Sequence, residues 1–269
     1  MHHFPKGAGY SALEKNILKR RAFEMVLVLF RVEELRRLVV ESIRATDGTR
    51  GALRGQTERL PEGTKNLYKK AWQILVDDGV ITLAQSREIQ GLTDYRNVVA
   101  HATELLTTDI NRDWSADIDS MPDLAKYKPE ALRRIKTLAT AVESGMQAKH
   151  YVFSISLGPT IFEPAERAYA EEIRRLSSKI HKQMSSMREE IEEVNANIAS
   201  LPPATTEALE PLHPDNRRGN GTLTKRGIDC CIKLFILGAT PIAVAYLMRI
   251  SVRSSNAQYR RWQSRKIRD

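Results

Sequence analysis

Cysteine is nearly missing from this 269-residue chain: there are two, Cys230 and Cys231, and they are adjacent. Neighbouring cysteines make no zinc-ligand spacing and close no long loop, so a disulfide scaffold is excluded and a reducing, cytoplasmic setting is expected. Aromatic residues are only 6%, and glycine and proline number 14 and 11. Runs of β-branched residues are few and short. A sheet-rich fold is therefore not expected, and an all-α fold is. The N-terminus has no apolar run of the kind a signal peptide needs. The longest apolar stretch, Leu234 to Met248, contains Gly238 and Pro241 and falls short of the roughly 20 residues of a membrane helix. No glycine loop for phosphate, paired-cysteine zinc set or zincin motif is present. His2, His3, His150, His181 and His213 are scattered. Asp109, Asp113, Asp117, Asp119 and Asp123 read as a solvated acidic loop rather than a cation site. No metal, no cofactor and no membrane partner are expected.

What is abundant is helical periodicity. Apolar residues recur at helical spacing over 11–45, and Gly48, Gly51 and Gly55 read as the loop that follows. Pro61-Glu62-Gly63-Thr64 is expected to start a second helix, closed by Asp77-Asp78-Gly79. Thr82 caps a short helix to about Ile89. Gly91 interrupts it, and Thr93-Asp94-Tyr95 opens the next. Pro129 opens a helix to about His150. Residues 1–150 thus read as a four- or five-helix bundle. Tyr151 to Leu157 is either a strand or an extended connector. Pro164 then opens a helix to about Ser200 with a heptad seam. One position holds Ala170, Ser177, Met184, Ile191 and Ile198; the other holds Ile173, Ile180, Met187, Val194 and Leu201. Within the segment 151–201 this is either a coiled coil or a long helix docked on the bundle. Residues 202–222, rich in proline and glycine, read as a linker.

Charge is unevenly distributed. Lysine and arginine number 30 in residues 1–216 and 12 in residues 217–269, whereas the acids number 31 and 2. A basic end on a near-neutral body suggests contact with a polyanion; the plain alternative is a solvated basic tail.

The densest chemistry lies in Arg96-Asn97-Val98-Val99-Ala100-His101. Arginine holds phosphate bidentately, and histidine moves a proton near neutral pH. On a helix, Asn97 and His101 share a face, and Arg96 lies about 140° from His101. Placed near a helix start, the stretch would also offer free N–H groups to an anion. It resembles the ribonuclease motif of the HEPN superfamily (higher eukaryotes and prokaryotes nucleotide-binding domain). That motif is an arginine, a polar residue and then a histidine after four to six intervening residues. Arg96, Asn97 and His101 match it, and the likeness extends over the helical body of residues 11–150. The resemblance implies a dimer with facing motifs that cuts RNA without metal. The 2′-hydroxyl attacks the adjacent phosphate and leaves a 2′,3′-cyclic phosphate. It also implies a role in phage defence or a toxin system, and leaves room for an antitoxin. Thr103 stands where HEPN toxins modified by a nucleotidyltransferase often carry tyrosine.

Residues 223–269 read as a helix-turn-helix. A first helix runs from about Thr224 to Leu237 and stops at Gly238. Thr240-Pro241 caps a second, and Ile250-Ser251 turns into a third. Val244-Ala245-x-x-Met248-x-Ile250-Ser251 resembles the signature of resolvase- and repressor-like modules. The resemblance implies a third helix in the major groove. Arg249 replaces the usual turn glycine, and Ser255 replaces the usual apolar anchor. Arg249, Ser251, Arg253, Asn256, Arg260 and Arg261 are the candidate DNA contacts; arginine suits guanine and asparagine suits adenine. Two functions follow: a HEPN-like endoribonuclease with a DNA-binding module, or a transcriptional regulator whose helical body is an inactive scaffold for dimerisation or ligand binding.

Overall fold

The computed structural model describes residues 10–55, 57–101, 106, 107, 110, 127–153 and 157–266. Its regular structure is helical, as expected, with an isolated antiparallel bridge between Arg217 and Leu223. The chain divides into two compact units, one of residues 14–179 and one built on residues 180–269.

The first unit holds α1 (Ala12–Arg54), α2 (Leu67–Asp77), α3 (Leu83–His101), α4 (Ala131–Ala148) and the start of α5 (Leu157–Ser200). Its core joins Val28, Val32, Leu35, Val39 and Ile43 of α1 to Trp72 and Leu75 of α2. Ile89, Tyr95 and Val99 of α3 and Ile135, Val142 and Met146 of α4 complete it. These positions follow the helical repeat, so each helix buries one stripe.

Several expected boundaries move. α1 runs through Gly48 and Gly51 and stops before Gly55, which has φ 66°. Glycine costs about 1 kcal/mol in a helix interior. Here Thr46 and Asp47, both buried, tie that turn to the rest of the unit. The second helix starts at Leu67, after Asn66 in the left-handed conformation, and not at Pro61. α3 is one helix and not two. Thr82 caps it: its Oγ1 accepts from Gln85 N at 3.2 Å, and Gln85 Oε1 accepts from Thr82 N at 2.8 Å. The helix continues through Gly91 because Ile89, Leu92 and Tyr95 are buried on both sides of it. Thr93 does not open a helix; its hydroxyl donates back to Ile89 O at 2.9 Å. Tyr151 to Phe153 form no regular structure, and the rest of that expected strand lies outside the described residues or in α5. The expected acidic loop lies largely outside the described residues. α5 begins at Leu157 and passes through Pro164. It tolerates the lost backbone donor because it is pinned on both sides: Phe162 stacks on Phe30 at 3.8 Å, and Tyr169 meets Phe23 at 5.5 Å.

A polar staple closes the unit. Arg59 donates through Nε and its backbone N to the buried Asp47, both at 2.8 Å, and through Nη1 to Asp78 at 2.7 Å. Tyr151 donates its hydroxyl to the same Asp78. Burial alone would raise the Asp78 carboxyl; the bonds from Tyr151 and Arg59 outweigh it and hold the group below the ordinary carboxylate range. A depressed carboxylate stabilises the fold above its unfolded value of about 3.9 and ceases to do so as pH falls through its folded value. Asp47→Ala leaves Arg59 without its buried partner and should destabilise this unit by about 3 kcal/mol, the scale for breaking a largely buried ion pair. In the wild type, the Asp78 share of stability should persist to about pH 4 and fade below it. Urea titration at neutral and acid pH measures both; an unchanged midpoint for Asp47→Ala would refute the staple.

The second unit packs the end of α5 with α7 (Lys225–Ile236), α8 (Pro241–Leu247) and α9 (Val252–Lys266). Leu201, Cys231, Leu234, Phe235, Val244, Ala245, Met248 and Ile250 form its core. Asn197 of α5 fixes the α7–α8 turn, donating to Gly238 O at 3.1 Å and accepting from Thr240 N at 2.8 Å. Of the heptad seam, Val194 and Leu201 are buried, whereas Met184, Met187 and Ile191 are exposed. Residues 202–222, read from sequence as a linker, contain regular structure. They hold α6 (Pro203–Ala208), a 3-10 turn at Pro214–Asn216 and one side of the Arg217–Leu223 bridge.

Candidate functional site

Arg96 and Asn97 lie more than three turns into α3. The expected help from free N–H groups at a helix start is therefore absent. Tyr95 and Val99 anchor this stretch in the core; the Tyr95 hydroxyl accepts from Lys128 N at 3.0 Å. Arg96 is half-buried. Its Nη1 donates to Asn97 Oδ1 at 2.9 Å, and its Nη2 meets Glu33 of α1 at 3.0 Å. Glu33 also accepts from Arg36 at 2.7 Å, and the Arg36 guanidinium lies 3.5 Å above the Tyr68 ring. The Arg96 Nε is buried without a hydrogen-bond partner among the described residues. Beside Glu33 opens a cavity of about 450 Å³ lined by Phe30, Glu34, Arg37, Glu41, Arg44 and Tyr68. His101 is exposed, one turn beyond Asn97 on the same face.

Arg96 and Asn97 are thus brought together, with Glu33 as a third member, while His101 stands apart. Glu33 could not be found from sequence, because nothing in the spacing of α1 connects it to α3. Thr103 lies outside the described residues.

The C-terminal candidates share a different frame. Thr224 Oγ1 accepts from Gly227 N at 3.2 Å, and Thr240 Oγ1 accepts from Ala243 N at 3.3 Å, with Pro241 in the first helical position. Ser251 Oγ accepts from Ser254 N at 3.1 Å and so starts α9. Ser251 is used as a cap. The two departures from the sequence signature have physical explanations. Arg249 takes the left-handed φ of 50° that glycine usually supplies. Ser255 is fully buried and donates to Pro241 O at 2.6 Å, so a hydrogen bond replaces the apolar anchor. Tyr259 and Trp262 pack edge and face against Phe235 at 5.1 and 5.8 Å, which fixes the inner side of α9.

No family model, curated protein or solved structure matches this chain.

The outer side of α9 carries Arg253, Ala257, Arg260 and Arg261, all exposed, with Asn256 half-buried among them. Arg253, Asn256, Ala257 and Arg260 fall on one helical face by their i, i+3, i+4 and i+7 spacing. Arg249 is exposed in the turn before α9. No carboxylate among the described residues pairs with any of these arginines. Elsewhere the chain pairs its arginines freely, as in Arg31 with Glu166 and Arg134 with Glu88. Among the described residues no group of histidine, cysteine or carboxylate side chains could hold a metal, and no helix is long and apolar enough to cross a membrane. Leu234 to Met248 is divided between α7 and α8.

Proposed function

We propose that the second unit is a helix-turn-helix that binds duplex DNA with α9 in the major groove. One observation carries this reading: the outer face of α9 presents an asparagine and arginines with no carboxylate partner among the described residues, on a helix whose inner face is locked by Ser255, Tyr259 and Trp262. Side chains that must exchange water for base edges need that combination of rigidity and freedom. Binding to a mixed-sequence duplex should weaken steeply between roughly 50 and 200 mM salt, because each neutralised phosphate releases counterion. Arg253→Ala should cost about 1–3 kcal/mol of binding and relax preference at one base position. Fluorescence anisotropy measures both. Undiminished binding by a chain lacking residues 221–269 would refute the assignment.

A second reading concerns the body. We propose a homodimeric, metal-independent endoribonuclease in which Arg96 holds the scissile phosphate, Asn97 orients the site and His101 transfers the proton. What favours it is the ordered Glu33–Arg96–Asn97 cluster with an exposed histidine one turn away. Cyclising cleavage needs both a base and an acid, which two facing histidines supply. Purified protein should cut labelled RNA in EDTA and leave a 2′,3′-cyclic phosphate. Failure to cut any RNA would favour the regulator with an inactive scaffold.

A further inference from the structure

The segment expected to be a linker is folded against the turn that launches α9. Arg217 and Leu223 pair across a hairpin. Arg218 N donates to Thr222 O at 2.8 Å, and Gly221 N donates to Arg218 O at 2.8 Å. Asn220 closes the tip by accepting from Thr222 N at 3.1 Å and Thr222 Oγ1 at 2.7 Å. The base is anchored by Asn216, almost fully buried, whose amide donates to Glu210 O at 2.9 Å. Next to it on the same strand, Arg217 donates to the carbonyl of Met248. That contact sets the hairpin beside Arg249. Burial and then the Arg249 charge press the Arg217 guanidinium below its ordinary value. Two like charges are thus held close, and a third, Arg218, is exposed at the hairpin tip with no ion pair among the described residues.

We infer that this hairpin is a second DNA contact, in which Arg218 holds a backbone phosphate flanking the groove that α9 occupies. The inference rests on the helix-turn-helix reading. Clustered arginines repel one another in the free protein, and a polyanion relieves that repulsion. Gly219 and Gly221 flank Asn220 at the tip and carry no side chain, and the Asn220 side chain is turned back onto Thr222, so the backbone there can approach a phosphate closely. Arg217 serves as the anchor, its guanidinium committed to Met248, while Arg218 is free to reach outward. A hairpin attached to the turn before α9 moves with that helix, so its phosphate contact fixes the register in which α9 reads bases.

The test compares full-length wild type, Arg218→Ala and Arg218→Lys on two unrelated duplexes over a series of salt concentrations. Arg218→Ala should bind both duplexes about eightfold more weakly near 0.1 M salt. Its log–log salt slope should be shallower by about one, as expected for one lost phosphate contact. Arg218→Lys should restore the slope. Equal affinity and slope for wild type and Arg218→Ala would overturn the hairpin contact while leaving the α9 reading intact. A loss confined to one of the duplexes would overturn it too, since that marks a base contact. Wild type that fails to bind either duplex would remove the helix-turn-helix reading itself.

Discussion

Alanine at His101 should lower the rate of RNA cleavage by about two to four orders of magnitude, the span expected for loss of a general acid or base. The substitution is structurally mild, because the His101 side chain is exposed and buries nothing in the core. Arg96→Lys tests the other half of the site. A lysine keeps the charge but cannot reach Asn97 and Glu33 together in the planar fork that Arg96 uses. It should lower kcat while leaving thermal stability close to wild type. Glu33→Gln keeps a hydrogen-bond acceptor for Arg96, so it should retain more activity than Glu33→Ala. Cleavage by His101→Ala at the wild-type rate would remove this histidine from the chemistry. A chain that is monomeric by light scattering at micromolar concentration would lack the facing histidines that the reaction requires.

Gly227→Ala should cost the C-terminal unit about 3 kcal/mol or more, at the upper end of what forced overpacking produces. A Cβ at Gly227 would lie 2.1 Å from the carbonyl oxygen of Asn216 and 3.0 Å from Leu223 Cδ2. The first neighbour is backbone and cannot rotate away. That same carbonyl accepts from Thr224 N at 3.1 Å, so moving it breaks the entry to α7. The hairpin would have to leave the helix, and with it the Arg217 contact to Met248. Lower thermal stability, faster tryptic cutting after Arg217 or Arg218, and weakened DNA binding should appear together. Gly219→Ala is the control for stability and tryptic cutting, because nothing lies within 4 Å of its Cβ position. If Gly227→Ala melts at the wild-type temperature, the close approach of α7 to Asn216 is not real.

The parts of the fold that sequence could disclose are those determined by short-range chemistry. Thr224, Thr240-Pro241 and Ser251 each bond a backbone N–H three residues on, so α7, α8 and α9 begin where their caps are written. The apolar stripes of α1 and α4 were equally legible. Glycine misled at Gly48, Gly51 and Gly91, where its local preference for breaks was overridden by burial of neighbours such as Asp47, Ile89 and Leu92. Proline misled at Pro164 for the same reason, since the aromatic contacts of α5 with α1 form only once the unit folds. At the candidate sites, the residue types of Arg96, Asn97 and His101 were readable but their surroundings were not. Glu33 enters through tertiary contact alone. The hairpin at Arg217 was hidden because its anchor, the Met248 carbonyl, belongs to a turn far along the chain.

Arg249 puts a bulky L-residue at φ 50°, where glycine is the relaxed choice. A non-glycine residue in that conformation carries roughly 1–2 kcal/mol of strain. The fold gains nothing visible in return: the side chain is exposed and raises the repulsion on Arg217. Under the proposed reading, in which Arg249 serves DNA binding, neutral drift should carry this position toward glycine in any descendant copy released from that role. The identity of residue 249 becomes a marker that separates working copies from silent ones, even where the three helices are otherwise intact.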